Sequence, residues 1–271
     1  MLHGNPTWSF YYRHLVGILA PACRTIVPDH IGCGLSEKPP VAEYPYRLAR
    51  RVADLELLLE SLEIHRNVSL VVHDWGGMIG LVWALRHIDK VKRLVITNTS
   101  GFLPPDGKSL PWRLKLIRNL TALGAPAVLH GNLFARAALV MAPRKRLARD
   151  VRRGLIAPYD SPSHRIATFK FVQDIPLTPR DPSYALVESV DRNLKRLAAI
   201  PMLILWGLND FVFDSDYLAE WRRRFPRAEV HTFPTAGHYL LEDEPASVSA
   251  AIKDFFRRHP MASETAPGRT P

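Results

Sequence analysis

Apolar residues recur along this chain in two different periods, and the alternation between them predicts its elements. Short runs of strand character occur at Arg24–Pro28, Val68–Val72, Arg93–Thr97, Pro201–Trp206 and Glu229–Phe233. Helical spacing lies between them. Leu48, Val52, Leu55, Leu59 and Leu62 fall on one helix face and place Arg50, Arg51, Glu56 and Glu60 outside. Strands alternating with helices predict a mostly parallel, doubly wound α/β sheet.

The alternation stops between about Gly101 and Leu197, where helical patterns and prolines leave no convincing strand. This reads as an inserted helical cap, residues 103–195, splitting an α/β core of residues 1–102 and 196–260. The cap begins at Pro104-Pro105-Asp106-Gly107 and leaves by a helix from Tyr184 to Leu197, with the sheet resuming at Ile200. Residues 261–271, small, polar and Pro-containing, predict a disordered tail. No repeat is evident.

Composition narrows the class. The 271 residues are 47% apolar and 23% charged, the balance of a globular protein, and no apolar run reaches the roughly eighteen residues of a membrane span. The first residues have neither a basic leader nor a long apolar stretch, so no signal peptide is predicted and the expected location is cytoplasmic. Cys23 and Cys33 stand outside any metal or redox spacing and read as reduced packing thiols, with no metal site. The net charge of +10 sits in arginine-rich segments, Arg144-Lys145-Arg146, Arg149, Arg152-Arg153 and Arg222-Arg223-Arg224, read as solvated helix faces. Without interleaved aromatics these argue against nucleic acid, and leave a protein partner or an anionic membrane surface open.

The chemistry centres on Val71-Val72-His73-Asp74-Trp75-Gly76-Gly77, which runs from a strand through a sharp turn into the helix Met78–Leu85. That is the layout of a nucleophile elbow with a carboxylate, Asp74, in the nucleophile's place. A carboxylate suits attack on an alkyl carbon. Alone, Asp74 reads equally well as the N-cap of the following helix. Asp210 in Trp206-Gly207-Leu208-Asn209-Asp210 and His238 in Thr235-Ala236-Gly237-His238-Tyr239 shift that balance, because both lie past carboxyl ends of strands. Nucleophile, acid, histidine is also the chain order α/β-hydrolases use. Asp214 is a rival for the acid, while Asn98-Thr99-Ser100 offers no carboxylate. Asp210 would orient His238, and His238 would activate a water after Asp74 attacks. The Trp75 N–H and the Asn5 side-chain amide are candidate donors to a leaving anion, although Trp75 also suits plain packing.

His3–Phe10, Asp29–Ser36 and His73-Asp74-Trp75-Gly76 together resemble the haloalkane dehalogenase branch of the α/β-hydrolases. Asp29–Gly34, Ala157–Ser161, Arg165–Thr168, Phe171–Leu177 and Asp210–Asp214 resemble, more closely, the β-lactone decarboxylases of bacterial long-chain olefin biosynthesis. That resemblance implies conversion of a cis-β-lactone with two alkyl chains to a cis-alkene and carbon dioxide, without metal or organic cofactor. The residues matching its motifs are Asp74, His238, Asp210, Asn5 and Trp75. Phe102, Leu129, Phe134, Leu139, Phe169 and Phe171 are candidates to line a slot for the alkyl chains, although helix-spaced apolars also serve as core.

Three alternatives accompany this reading. One is a haloalkane dehalogenase using Asn5 and Trp75 as halide donors. Another is an epoxide hydrolase needing two cap tyrosines, for which Tyr159 and Tyr184 are available. The third is a non-catalytic subunit whose basic cap docks partner enzymes of the same pathway. The resemblance also implies missing N-terminal strands, since the His-Gly-x-Pro loop should follow a third strand and His3 is the third residue. Met1-Leu2 would then be the tail of a lost central strand of ~5 residues, each stranded backbone group costing ~1–3 kcal/mol. Asn5 would sit on a frayed terminus.

Overall fold

The computed structural model describes residues 1–105, 108–119 and 121–261. Four strands, β1 (Val68–His73), β2 (Val91–Thr97), β3 (Met202–Gly207) and β4 (Glu229–Phe233), form one sheet in the order β1-β2-β3-β4, every pair parallel. Twelve α-helices accompany them among the described residues. They are α1 (Arg13–Leu19), α2 (Leu48–Ser61), α3 (Trp75–Arg86), α4 (Trp112–Asn119), α5 (Thr121–Leu129), α6 (Leu133–Met141), α7 (Arg149–Ile156), α8 (Ile166–Gln173), α9 (Tyr184–Asn193), α10 (Ser215–Arg224), α11 (Leu240–Asp243) and α12 (Pro245–Arg258).

Because strand side chains alternate faces, the apolar runs of β1 to β3 divide into two sets. Leu70, Val72, Leu94, Ile96, Ile204 and Trp206 pack with α2, α3, α9 and α10, while Val71, Val95, Leu203 and Leu205 pack with α1 and α12. Both faces are covered, which is why β3 is buried along its whole length. Helices α4 to α9 all fall between β2 and β3, with no strand among the described residues there. The expected cap exit is α9 with a 3-10 turn at Leu194–Leu197. Asp106 and Gly107 of the expected cap start, and the expected tail beyond Met261, lie outside the described residues.

Several expectations need correction. Arg24–Pro28 is not a strand. A strand needs a hydrogen-bonded ladder, and among the described residues the only main-chain partner this segment finds is the Met1 ammonium, which donates to the Ile26 carbonyl at 2.7 Å. Met1-Leu2 runs between it and β1, with the Leu2 N–H donating to Val71 O (2.9 Å) and Leu2 O accepting from the His73 N–H (3.2 Å). Nor is Asn5 frayed. It is 8% exposed, its N–H donates to Asp74 Oδ1 at 2.7 Å, and its Nδ2 donates to Thr168 O at 3.0 Å.

Arg51, expected on the outer face of α2, is 1% exposed. Its guanidinium lies 3.6 Å from the centre of the Phe171 ring, donates to Tyr46 O at 2.8 Å and stands 3.8 Å from the buried Asp174 carboxylate, so an aromatic face, a carbonyl and an anion hold the cation in the interior. Arg144–Arg146 is a loop between α6 and α7 rather than a helix face.

Candidate active site

Each of the four strands delivers one polar group at its carboxyl end. Asp74 follows β1, Asn98 follows β2, Asp210 follows β3 and His238 follows β4. Parallel strands all end on the same side, so residues far apart in the chain converge there.

Asp74 sits at φ 50°, ψ −127°, a backbone state that a non-glycine residue rarely adopts. Gly76 and Gly77, two and three residues on, let the turn pack this closely. A Cβ on Gly76 would stand 2.1 Å from Leu2 O, and one on Gly77 would stand 1.9 Å from Thr99 Oγ1. Thr99 Oγ1 in turn donates to the Asp74 carbonyl at 2.5 Å. The carboxylate does not cap α3. Instead Oδ1 accepts from the Asn5 N–H and Oδ2 lies 3.5 Å from His238 Nε2.

On its other side His238 meets Asp210, with Nδ1 to Oδ2 at 2.7 Å. The N–H groups of Val212 and Phe213 donate to Asp210 Oδ1 at 2.7 and 3.1 Å, so that carboxylate is oriented before the histidine engages it. Asp214, the rival acid, is elsewhere. It caps α10 and pairs with Lys108.

Burial opposes a charge on His238, but the Asp210 and Asp74 carboxylates outweigh it and push the imidazole up to about 10. Burial would likewise raise Asp74, and the His238 and His73 rings with the Asn5 N–H outweigh that, leaving it below the usual carboxylate range. At neutral pH the site rests as an Asp74–imidazolium–Asp210 array. His73 is held neutral, burial and the adjacent His238 pushing it down to about 3, and its Nε2 bonds the His238 carbonyl at 2.8 Å.

Two further residues escaped the sequence reading. Asn98 Nδ2 donates to Asp210 Oδ2 (3.0 Å) and Gly207 O (3.1 Å), while its Oδ1 accepts from the Gly207 N–H (2.9 Å). Its signal was its place at the end of β2, passed over because a carboxylate was sought there. Asp243, 1% exposed, accepts from the N–H groups of Gly237, Arg144 and Lys145, tying the His238 loop to the α6–α7 loop of the inserted helices. Nothing in its local sequence marks it.

A cavity of about 520 Å³ opens above the array. Asn5, Asp74, Trp75 and His238 lie at its wall, and the rest is mainly apolar: Phe102, Phe134, Met141, Ile175, Phe211 and Phe213 among others. Asp74 is its only carboxylate among the described residues. Of the aromatics and leucines expected to line it, Phe102 and Phe134 do so. Leu129, Leu139, Phe169 and Phe171 do not: Leu139, Phe169 and Phe171 are buried in packing, with Phe171 set between Arg51 and the Trp75 ring (5.3 Å). Neither Tyr159 nor Tyr184, the two tyrosines named for an epoxide hydrolase, lines the cavity, and the Tyr159 hydroxyl donates to Thr7 O; the tyrosines at its wall are Tyr217 and Tyr239. No helix is long and apolar enough to cross a membrane among the described residues.

An elbow carboxylate under a helical insertion, with acid and histidine supplied later in the chain, defines the α/β-hydrolase class. The chain belongs to the α/β-hydrolase fold family, whose pattern matches residues 1–245. It is 50% identical over 256 residues, 94% of this chain and 80% of the relative, to the cis-3-alkyl-4-alkyloxetan-2-one decarboxylase of Shewanella oneidensis. It is 46% identical over 266 residues (96% and 88%) to that of Xanthomonas campestris pv. campestris. A haloalkane dehalogenase of Mycobacterium marinum is 34% identical over 259 residues (93% and 82%). Among solved structures, the haloalkane dehalogenase DbeA from Bradyrhizobium elkani superposes with a TM-score of 0.79 at 26% identity, covering 95% of this chain and 90% of that one.

Proposed function

We propose that the chain converts a cis-3,4-dialkyl β-lactone, a cis-3-alkyl-4-alkyloxetan-2-one, into a cis-alkene and carbon dioxide, and that Asp74, His238 and Asp210 do the chemistry. The observation that carries this reading is an apolar cavity whose only described carboxylate is the elbow residue Asp74, in a chain half identical to a decarboxylase of such lactones. The apolar wall takes two alkyl chains and the polar end takes the four-membered ring.

With Oδ1 held by the Asn5 N–H, Asp74 attacks through Oδ2 at C4, the ring carbon bonded to oxygen. The C4–O bond breaks as the ester bond forms, and its electron pair leaves as a carboxylate on C3. Loss of carbon dioxide then breaks the C2–C3 bond. That electron pair becomes the C3=C4 double bond while the C4–Asp74 bond breaks, returning the aspartate as an anion. Inversion at C4 followed by anti elimination keeps the cis relation of the two chains.

Charge is conserved in place throughout. The His238 imidazolium, 3.5 Å from Asp74, first faces the aspartate and then the released carboxylate, so no new buried charge is created. The Trp75 indole N–H has no acceptor among the described residues and is free for the carboxylate. Asn5 Nδ2 spends one hydrogen on Thr168 O and keeps the second. No water is consumed.

The dehalogenase reading rests on the same two donors and on the Mycobacterium marinum relative. There the ester must be opened by water with His238 as base. Steady turnover by purified protein separates the readings. A synthetic cis-3,4-dialkyl lactone should give cis-alkene, with a rate flat across neutral pH and falling as pH rises toward about 10, where His238 loses its proton. Halide release from a 1-bromoalkane without alkene from the lactone would select the dehalogenase, and inertness toward both would favour the docking subunit.

A further inference from the structure

The mouth of the cavity has a composition that the reaction does not require. Between Lys108 and Arg149 the chain carries nine lysine and arginine side chains and no aspartate or glutamate, nearly the whole of the +10 net charge. Within that stretch Trp112, Leu116 and Leu133 line the cavity and are also 68%, 47% and 57% exposed. They form a rim, apolar on the side turned to solvent as well as on the side turned to the cavity.

The exposed faces of the two rim helices mix these apolar residues with cations. On α4, Arg113 and Lys115 flank Trp112 and Leu116; on α6, Arg136 lies one turn from Leu133 and Val140, the latter 70% exposed. Arg113, Lys115 and Arg136 have no ion-pair partner among the described residues, and the Arg113 guanidinium lies over the Trp112 ring. On α10 and α12, by contrast, arginines meet carboxylates: Arg223 and Arg224 pair with Glu220, and Arg258 with Glu229 and Asp254. Unpaired cations interleaved with Trp and Leu on exposed helix faces suit the boundary of an anionic bilayer, where acyl chains receive the apolar groups and headgroups the charges.

We propose that the α4–α6 rim docks the protein on anionic lipid surfaces, with the cavity mouth facing the acyl region. The inference rests on the proposed reaction for its purpose: a dialkyl lactone and its alkene are nearly insoluble in water, and a mouth set into the bilayer exchanges both without crossing the aqueous phase. The cavity supports this, since Trp112, Leu116 and Leu133 of the rim also line it, so the apolar wall runs continuously from Asp74 out to the exposed helix faces.

The test is cosedimentation of the full chain with phosphatidylcholine vesicles, with and without phosphatidylglycerol. Binding should require the anionic lipid and weaken with salt. Lys115→Glu/Arg136→Glu, at two positions outside the cavity, should reduce partitioning by at least about tenfold, while Lys115→Arg/Arg136→Lys retains it. Equal binding to neutral vesicles, or unchanged binding by the charge-reversed variant, overturns the proposal. Absent vesicle binding does so too, and would assign the rim to an acidic protein. Turnover of a short-chain lactone is read in parallel: vesicle binding without alkene refutes only the reaction, and alkene without vesicle binding refutes only the docking.

Discussion

Asp74→Ala is expected to lower kcat/KM on a cis-3,4-dialkyl β-lactone by about 10³-fold or more, the scale seen when a nucleophile is removed and only binding and electrostatics remain. The loss should fall on kcat, because the cavity wall that binds the alkyl chains is left intact. Alanine at φ 50° adds backbone strain, so Asp74→Asn is the companion variant. It retains the shape of the turn, can still accept from the Asn5 N–H, and lacks the anion. Both should be inactive in a gas-chromatographic assay of alkene. Near-normal alkene from Asp74→Asn, with the fold preserved by circular dichroism, would remove Asp74 from the chemistry.

The second large effect is expected at Asp210. Its carboxylate is fully buried against His238, and Asp210→Ala removes the shorter of the two ion pairs of the imidazolium and leaves the Val212 and Phe213 N–H groups without their acceptor, a loss of about 3–5 kcal/mol. Urea denaturation measures it. The pH dependence identifies the cause. Burial lowers the His238 pKa and the carboxylates raise it, with a net rise from 6.5 to about 10. A histidine raised on folding contributes stability that is fully present below pH 6.5 and is lost as pH rises through about 10. Wild-type stability should therefore fall across that window. In Asp210→Ala the principal raising influence is gone, so the fall should largely disappear. A variant that keeps the wild-type alkaline slope would show that Asp210 does not govern the His238 proton.

The fold was legible where local pattern decides it. β1 to β4 lie where β-branched and leucine runs placed them, and α3 starts at the turn that the Asp74-Trp75-Gly76-Gly77 segment signals. Arg24–Pro28 has the same composition and fails as a strand because a ladder depends on a neighbour. Periodicity marked the insertion as helical, but it cannot tell a residue that faces a void from one that faces packing. Phe134 reached the cavity and Phe171 went beneath Trp75 for that reason.

Within the site, Asp74, Asp210 and His238 were legible from residue type and chain order, and the structure brings them together. Asn5 was legible by type but not by circumstance. The contacts that hold it come from Asp74 and Thr168, 69 and 163 residues away, which no local window contains. Asn98 and Asp243 act through groups distant in the chain, the end of β3 at Gly207 and the Asp210 carboxylate for one, the Gly237 and Arg144 N–H groups for the other. Such roles follow from the assembled sheet.

The central claim is that Asp74 opens the lactone and is released by elimination, without water. Turnover in ¹⁸O-labelled water, followed by mass analysis of the peptide carrying Asp74, tests it directly. Many turnovers of a cis-3,4-dialkyl β-lactone should give cis-alkene with an unlabelled Asp74 peptide. A β-hydroxy acid product with ¹⁸O in Asp74 would mean that water opens the ester, and would contradict the account.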